Sequence, residues 1–479
     1  MYYFLNPSEE EVLNWLAERN LMPSPELVSH VTNQPDGIVL LENSISSITR
    51  PLLFLGLSDL VEETTSVQVP RPSPVVSNAP PVIIKDQIEK STADGSLNNF
   101  VSLFNDRLRH LSRLLYQNPK MRGARNLNYL EPGSEMSCIG IVSSIGQRYN
   151  DKRKVILEDG VHQAAVYLED SDANPLLLVP DEVIGVIGRV DRRGRAIYSN
   201  EPIVRPHWGR VRDSNRSEQP HTALFISDVH LGSLTFQSKE WKRFIEWLNG
   251  NTDLYPDWIP NGGYLIIDGD IVDGIDSYPD QEKDLAIKDV WEQYETLADE
   301  IKNMPSDLQI VILPGNHDAV RLMEPQLPLP AHVKEKFPPN VTFTANPVSI
   351  DIAGVNVLCY HGKSLDDLVS LPGLSYEDPI SLMKELIKRR HLAPIYGGKT
   401  PLATENKDYL VIKEVPDIFV TGHVHSCGVD RYQGTLLINP GTWQAQTSYQ
   451  KMMGFQPDPC RAVAVNLQSL HSEILDFNF

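Results

Sequence analysis

Five apolar runs in the second half of the chain each end in a short polar motif, and this pattern constrains the fold more than any other. Leu224-Phe225-Ile226 leads into Asp228-Val229-His230, and Leu265-Ile266-Ile267 into Gly269-Asp270-Ile271-Val272-Asp273. Val311-Ile312-Leu313 leads into Gly315-Asn316-His317-Asp318. Val357-Leu358-Cys359 leads into Tyr360-His361-Gly362, and Ile418-Phe419-Val420 into Gly422-His423-Val424-His425. Short apolar runs without alternation fit strands covered on both faces, which needs a layered α/β architecture. Helical stretches between them, at 240–248 and 284–303, give the strand–helix alternation of an α/β sandwich. Polar groups that follow buried strands collect at the carboxyl edge of such a sheet, where open α/β folds bind their ligands.

The residue types in these motifs are those that bind hard-to-borderline metals through oxygen or imidazole nitrogen. Five of the thirteen histidines are here. Two divalent ions about 4 Å apart need a bridging ligand, which a carboxylate supplies best. Asp270, preceded by Gly269, is expected to bridge. Asp228, His230 and His425 would complete one ion's protein ligands, and Asn316, His361 and His423 the other's. Asn316 contributes a neutral oxygen, which leaves the pair enough Lewis acidity to bind phosphate. His317 is placed to give a proton to a departing alkoxide. Asp318 is expected to orient that imidazole, and Asp273 to hold a group behind the ligands. A lone Asp-x-His is usually a surface accident; five such motifs in order at strand ends are not.

The rest of the chain sets the context. At 479 residues it exceeds what one core supports. A net charge of −20 argues against a protein that coats nucleic acid through its own field. If DNA is the substrate, a basic partner or local basic patches must supply the attraction. Four cysteines with no CxxC pair fit a reducing cytosol. Neither an export signal nor a run of about 18 apolar residues is present, so a cytoplasmic protein without membrane contact is expected.

Residues 1–62 are expected to form a small helical N-terminal domain, opened by Ser8 and the acids Glu9 to Glu11. Residues 63–97, with Pro70, Pro72, Pro74, Pro80 and Pro81, are expected to be a disordered linker. A helix from about Asn99 carries the stripe Phe100, Phe104, Leu108, Leu111 and Leu115, with Arg107, Arg109 and Arg113 on its other face. That face reads as solvated, or as a contact for phosphate or a partner. Five short alternating strands follow, so residues 98–212 are expected to be this helix plus an OB-type barrel. The tip Arg192-Arg193-Gly194-Arg195 offers three guanidinium groups in one hairpin. Residues 213–479 form the motif-bearing domain.

The five motifs resemble those of the calcineurin-like metallophosphoesterase superfamily. Asp273-Gly274-Ile275 and Asn316-His317-Asp318 depart from the protein phosphatase branch, which has Arg-Gly and Glu at the corresponding places. The barrel immediately upstream narrows the resemblance. So do the run from Gly315 through Arg321 to Glu324-Pro325-Gln326 and the tail from Asn439 to Gly454. Together they are similar to the polymerase B-subunit family, in its archaeal D-family small-subunit branch. The resemblance implies a 3′-to-5′ proofreading exonuclease acting on single-stranded or mismatched DNA 3′ ends in an archaeal cytoplasm. It also implies a large catalytic polymerase subunit as partner, in a heterodimer or a higher assembly. Two divalent metal ions are expected, manganese first, with magnesium, zinc or iron as alternatives. Gln444, Gln446 and Tyr449 are expected to meet partner or frayed strand, or simply to pack in a loop. A dormant scaffold subunit and a phosphoesterase with another target are the competing readings.

Overall fold

The computed structural model describes residues 79–479 except 173–174, 208–210, 261 and 453, together with Val12, Met22, Pro23, Thr32, Phe54 and Leu55. The chain divides into two compact units, Met1–Val75 and Val76–Phe479. In the first, Met22–Pro23 pairs in parallel with Phe54–Leu55, and Val12 and Thr32 are helical. The rest of the expected helical domain lies outside the described residues.

Two six-stranded sheets and a closed barrel make up the second unit. The barrel is built from β2 (Glu135–Tyr149), β3 (Lys152–Glu158), β4 (Gln163–Glu169), β5 (Val183–Val190) and β6 (Ala196–Tyr198). Its strand order is β2-β3-β4-β6-β5, closed by β5 on β2, with β4 and β6 parallel and the other pairs antiparallel. Alternation dictates this. Val155, Leu157, Val166 and Leu168 point inward, with Lys154, Ala165 and Tyr167 on the outer face. Helix α1 (Leu97–Leu115), capped by the Ser96 hydroxyl, lays Leu111 and Leu115 on Ile139, Ile141 and Val183 of the barrel.

The first sheet runs β10 (Val341–Phe343), β9 (Leu308–Leu313), β8 (Gly263–Asp268), β7 (Thr222–Ile226), β16 (Arg461–Asn466) and β17 (Ser472–Asp476). The second runs β14 (Cys427–Tyr432), β15 (Thr435–Pro440), β13 (Ile418–Val420), β12 (Val355–Cys359), β11 (Val348–Ile352) and β1 (Ile83–Gln87). Ala223 and Phe225 of β7 share a core with Val357 and Val420 of the other sheet, so the two sheets face each other. Leu224 and Ile226 point the other way, onto α2 (Ser238–Leu248) and α3 (Val290–Lys302). Phe419 and Leu437 on the far side of the second sheet meet α4 (Pro379–Arg389). Each motif-bearing strand is therefore covered on both faces, as its unbroken apolar run requires.

Two expectations need correction. The disordered linker expected over 63–97 does not extend to Leu97. Ile83–Gln87 is an edge strand against β11, and Ser91 and Thr92 both bond to Glu405. An edge strand is short and mostly exposed, so it lacks the buried pattern that reveals central strands. Arg107 is also no part of a solvated face. It is buried, with Nε donating to Asp408 at 2.7 Å and Nη1 to the Pro394 carbonyl at 2.6 Å.

Candidate metal centre

β7, β8 and β9 run parallel with aligned ends, and the three loops that leave them carry Asp228 and His230, Asp270, and Asn316. β12 and β13 likewise end together and deliver His361, His423 and His425 from the opposite sheet. Five of these seven residues hold a positive φ: Asp228 at 51°, His230 at 50°, Asp270 at 48°, His423 at 68° and His425 at 59°. Non-glycine residues adopt that conformation at a cost, and such outliers cluster at functional sites. Gly315 explains one close approach. A Cβ there would strike the Asp270 carboxylate and come within 2.7 Å of His361 Nε2.

The side chains converge into three overlapping groups, Asp228–His230–His425, His230–Asp270–His317 and Asp270–His361–His423, each with ligand atoms within 4.8 Å of one another. Asp228 Oδ1 is 3.3 Å from His425 Nε2, and Asp270 Oδ2 is 3.2 Å from His361 Nε2. His230 Nε2 and His425 Nε2 lie 3.1 Å apart. Asp270 belongs to two groups, which is the position a bridging carboxylate needs.

The donor set fits divalent metal. Asn316 Oδ1 is buried with no hydrogen-bond partner among the described residues. Burying such an atom unsatisfied is costly, and a cation relieves it. The electrostatics point the same way. Burial works against ionisation of Asp270, yet His361 and His317 hold it well below the ordinary carboxylate range. Burial likewise opposes charge on His361, but Asp270 lifts it well above the usual imidazole value. Against burial, Asp273 raises His230 to about 8. Such clusters bind protons where metals bind, and metal uptake displaces them.

Behind the candidate ligands stands a supporting shell. Asp273 Oδ1 accepts from His230 Nδ1 at 2.9 Å, which leaves His230 Nε2 for an ion. The Asp273 carbonyl accepts from His317 Nδ1 at 2.8 Å. His361 Nδ1 donates to the Asp268 carbonyl at 2.9 Å. Asp366 Oδ2 is 3.1 Å from His423 Nε2, and the Gln450 amide is 2.9 Å from His425 Nδ1. The sequence reading missed Asp366 and Gln450, because neither belongs to a strand-end motif.

One expected contact differs from what is found, and one open choice is decided. The orienting bond expected from Asp318 to His317 comes instead from the Asp273 main chain. Asp318 is committed elsewhere, accepting from Tyr294 Oη at 3.1 Å and from the Gly315 amide at 2.8 Å. Gln444 follows the packing alternative rather than reaching outward to partner or DNA. It is buried, and its amide donates to Ser233 Oγ at 2.8 Å and Asp273 Oδ1 at 3.1 Å. Gln446 donates to the Phe455 carbonyl. The Tyr449 side chain lies outside the described residues.

Residues 224–427 match the family model that describes the B subunit of DNA polymerase alpha/epsilon. A DNA polymerase II small subunit from Archaeoglobus fulgidus is 41% identical over 381 residues, covering 79% of this chain and 77% of that protein. The chain belongs to the DNA polymerase II small-subunit family. The family's member from Thermoplasma acidophilum is 39% identical over 391 residues, covering 80% of this chain and 79% of that one. Among solved structures, an archaeal phosphodiesterase aligns with 53% of this chain and 98% of its own, at 12% identity and a TM-score of 0.27. A likeness of that size carries no further argument. Among the described residues no helix is long and apolar enough to cross a membrane.

Proposed function

We propose that this small subunit is a metal-dependent 3′-to-5′ DNA exonuclease that removes misincorporated nucleotides for a large catalytic polymerase subunit. The observation that carries the reading is the convergence of Asp228, His230, Asp270, His361, His423 and His425 from four strand ends, together with a buried Asn316 Oδ1 that has no hydrogen-bond partner among the described residues. Asp228, His230 and His425 would hold one divalent ion and Asn316, His361 and His423 another, with Asp270 shared. Manganese suits this oxygen and nitrogen set. Ions held there supply Lewis-acid stabilisation of charge on a phosphoryl oxygen and lower the pKa of a water.

The chain's own residues supply orientation and proton transfer. Asp273 fixes the His230 ring, so that its Nε2 is the ligating nitrogen. The Asp273 carbonyl fixes the His317 ring by Nδ1, and Nε2 is then the nitrogen that serves the departing alkoxide. Asp318, its oxygens bonded to the Gly315 and Ile271 amides and to Tyr294, locks the loop that carries Asn316 and His317. The catalytic assignment accordingly rests on His317, with Asp318 as its structural support. The barrel, with its β2-β3-β4-β6-β5 order, is read as an OB type. The family's small-subunit name and the acidic balance of this chain support a partner that carries most of the duplex-binding charge.

Manganese uptake and hydrolysis of a simple phosphodiester such as bis-p-nitrophenyl phosphate test the site itself. The protein should take up manganese and hydrolyse the ester, and Asp270→Asn should do neither at a comparable level. If wild-type protein assembled with its large subunit neither binds manganese nor hydrolyses the ester, the reading is wrong and the dormant-scaffold alternative stands.

A further inference from the structure

Strand register lines up four residues across the outer face of the barrel. Lys154 on β3 is opposite Tyr167 on β4, Tyr167 is opposite Tyr198 on β6, and Tyr198 is opposite Arg189 on β5. The two tyrosine rings stack with centroids 4.7 Å apart and planes 7° from parallel. Tyr198 is 45% exposed, and both its cationic neighbours in the row are exposed as well. The row ends at Glu135, opposite Arg189. The turn from β5 to β6, beside Arg189 and Tyr198, carries Arg192, Arg193 and Arg195, all exposed. Asp191, the acid within that turn, is committed to the main chain, accepting from the Arg195 amide at 2.6 Å and the Ala196 amide at 3.2 Å.

A cross-strand ring pair stabilises a sheet by itself and needs no ligand. What sets this one apart is the charge around it. The chain has 63 acidic and 43 basic side chains, so a group of cations without carboxylate partners runs against its overall balance. Ion pairs of that kind engage Arg107, Arg109, Lys120, Arg125, Arg148 and Arg153. Among the described residues, Lys154, Arg189, Arg192, Arg193 and Arg195 make none. Five cations without an ion pair thus lie in the row of the aromatic stack and in the turn that adjoins it. Rings that take a base's π-face, flanked by cations that follow the phosphates, make the arrangement that binds single-stranded nucleic acid without reading its sequence.

We propose that the outer barrel face formed by Lys154, Tyr167, Tyr198, Arg189 and the Arg192–Arg195 turn is a single-stranded nucleic-acid platform. Bases stack on the exposed face of Tyr198, and the arginine turn holds the backbone. The platform is separate from the metal centre and does not require that centre to be catalytic.

The test is fluorescence anisotropy of a labelled oligo-dT or oligo-rU with the full chain, in EDTA so that hydrolysis plays no part. The wild type should bind either single strand more tightly than a duplex of equal length. Tyr198→Ala should weaken binding ~5- to 150-fold, the loss of one stacked base, whereas Tyr198→Phe should keep it. The combined Arg192→Ala, Arg193→Ala, Arg195→Ala variant should lower the slope of log affinity against log salt by about 2, at ~0.7 per lost phosphate contact. Those arginines are exposed, so this arm reads binding even if Tyr198→Ala unfolds the barrel. Absence of binding by the wild type overturns the proposal. So do unchanged affinity and salt slope in folded variants, equal affinity for duplex, or equal displacement of the strand by polyglutamate, which would mark a docking face for an acidic protein.

Discussion

Asp273 joins the two halves of the proposed chemistry, since its carboxylate bonds a ligand imidazole and its carbonyl bonds the proton-donor imidazole. Gln444 and Gln281 hold the carboxylate in turn. Asp273→Ala removes the carboxylate but keeps the carbonyl, so it is expected to weaken manganese binding about 10- to 100-fold while leaving the fold intact. Isothermal titration with manganese and circular dichroism check this, and unchanged affinity would contradict it. Gly315→Ala is a sharper perturbation, because its Cβ competes for the space of the Asp270 carboxylate and the His361 ring. It should abolish binding of the ion proposed for Asn316, His361 and His423, and titration should show a lower metal stoichiometry than wild type. The seven candidate ligands were legible in the sequence because each sits in a short motif with glycine or a second ligand beside it. Asp366, Gln450 and the buried position of Gln444 were not, because their contacts depend on segments far apart in the chain.

At the scale of elements, the motif-bearing strands announced themselves, while edge strands and the buried strand β16 did not. β7, β8, β9, β12 and β13 contain the five apolar runs. β1, β10 and β14 have mostly part-exposed residues and no continuous apolar run to betray them. Helix α1 was legible as a helix, but its anchoring was not. Arg107 reads as one charge among several, yet it is buried against Asp408, which also bonds His391 Nε2 at 2.8 Å. Burial works against the Asp408 carboxylate, but His391 and Arg107 hold it well below the ordinary range. A carboxylate with a lowered folded pKa contributes stability above its unfolded value of about 3.9 and loses it as pH falls below that. Arg107→Ala should therefore cost about 3–5 kcal/mol at neutral pH, because it takes the guanidinium partner from a buried carboxylate and leaves only His391 beside it. It should also flatten the loss of stability below about pH 4. Urea unfolding at pH 7 and at pH 3.5 measures both effects, and a variant as stable as wild type at neutral pH would refute this reading of the contact.

For the whole molecule, composition set the frame and topology supplied the placement. The sandwich and a five-stranded barrel were both legible from strand spacing, but the barrel's closure through the parallel pairing of β4 with β6 was not. Nor was the return of Ile83–Gln87, from upstream of the barrel, to the edge of the second sheet. Because ligands come from both sheets, metal should hold the sandwich together. Manganese at 100 times its dissociation constant should stabilise the fold by about 2.7 kcal/mol, and EDTA should remove that gain, read as a shift in melting temperature. The Asp270→Asn protein should show no such shift. Proofreading itself is read by single-turnover digestion of a 5′-labelled primer with a mismatched 3′ end, by the assembled polymerase with manganese and no nucleotides. Stepwise shortening from the 3′ end is expected with wild-type small subunit, and its loss with His317→Ala in an assembly that still polymerises. A primer left intact by the wild-type assembly, or shortened equally by the His317→Ala assembly, would contradict the proofreading assignment.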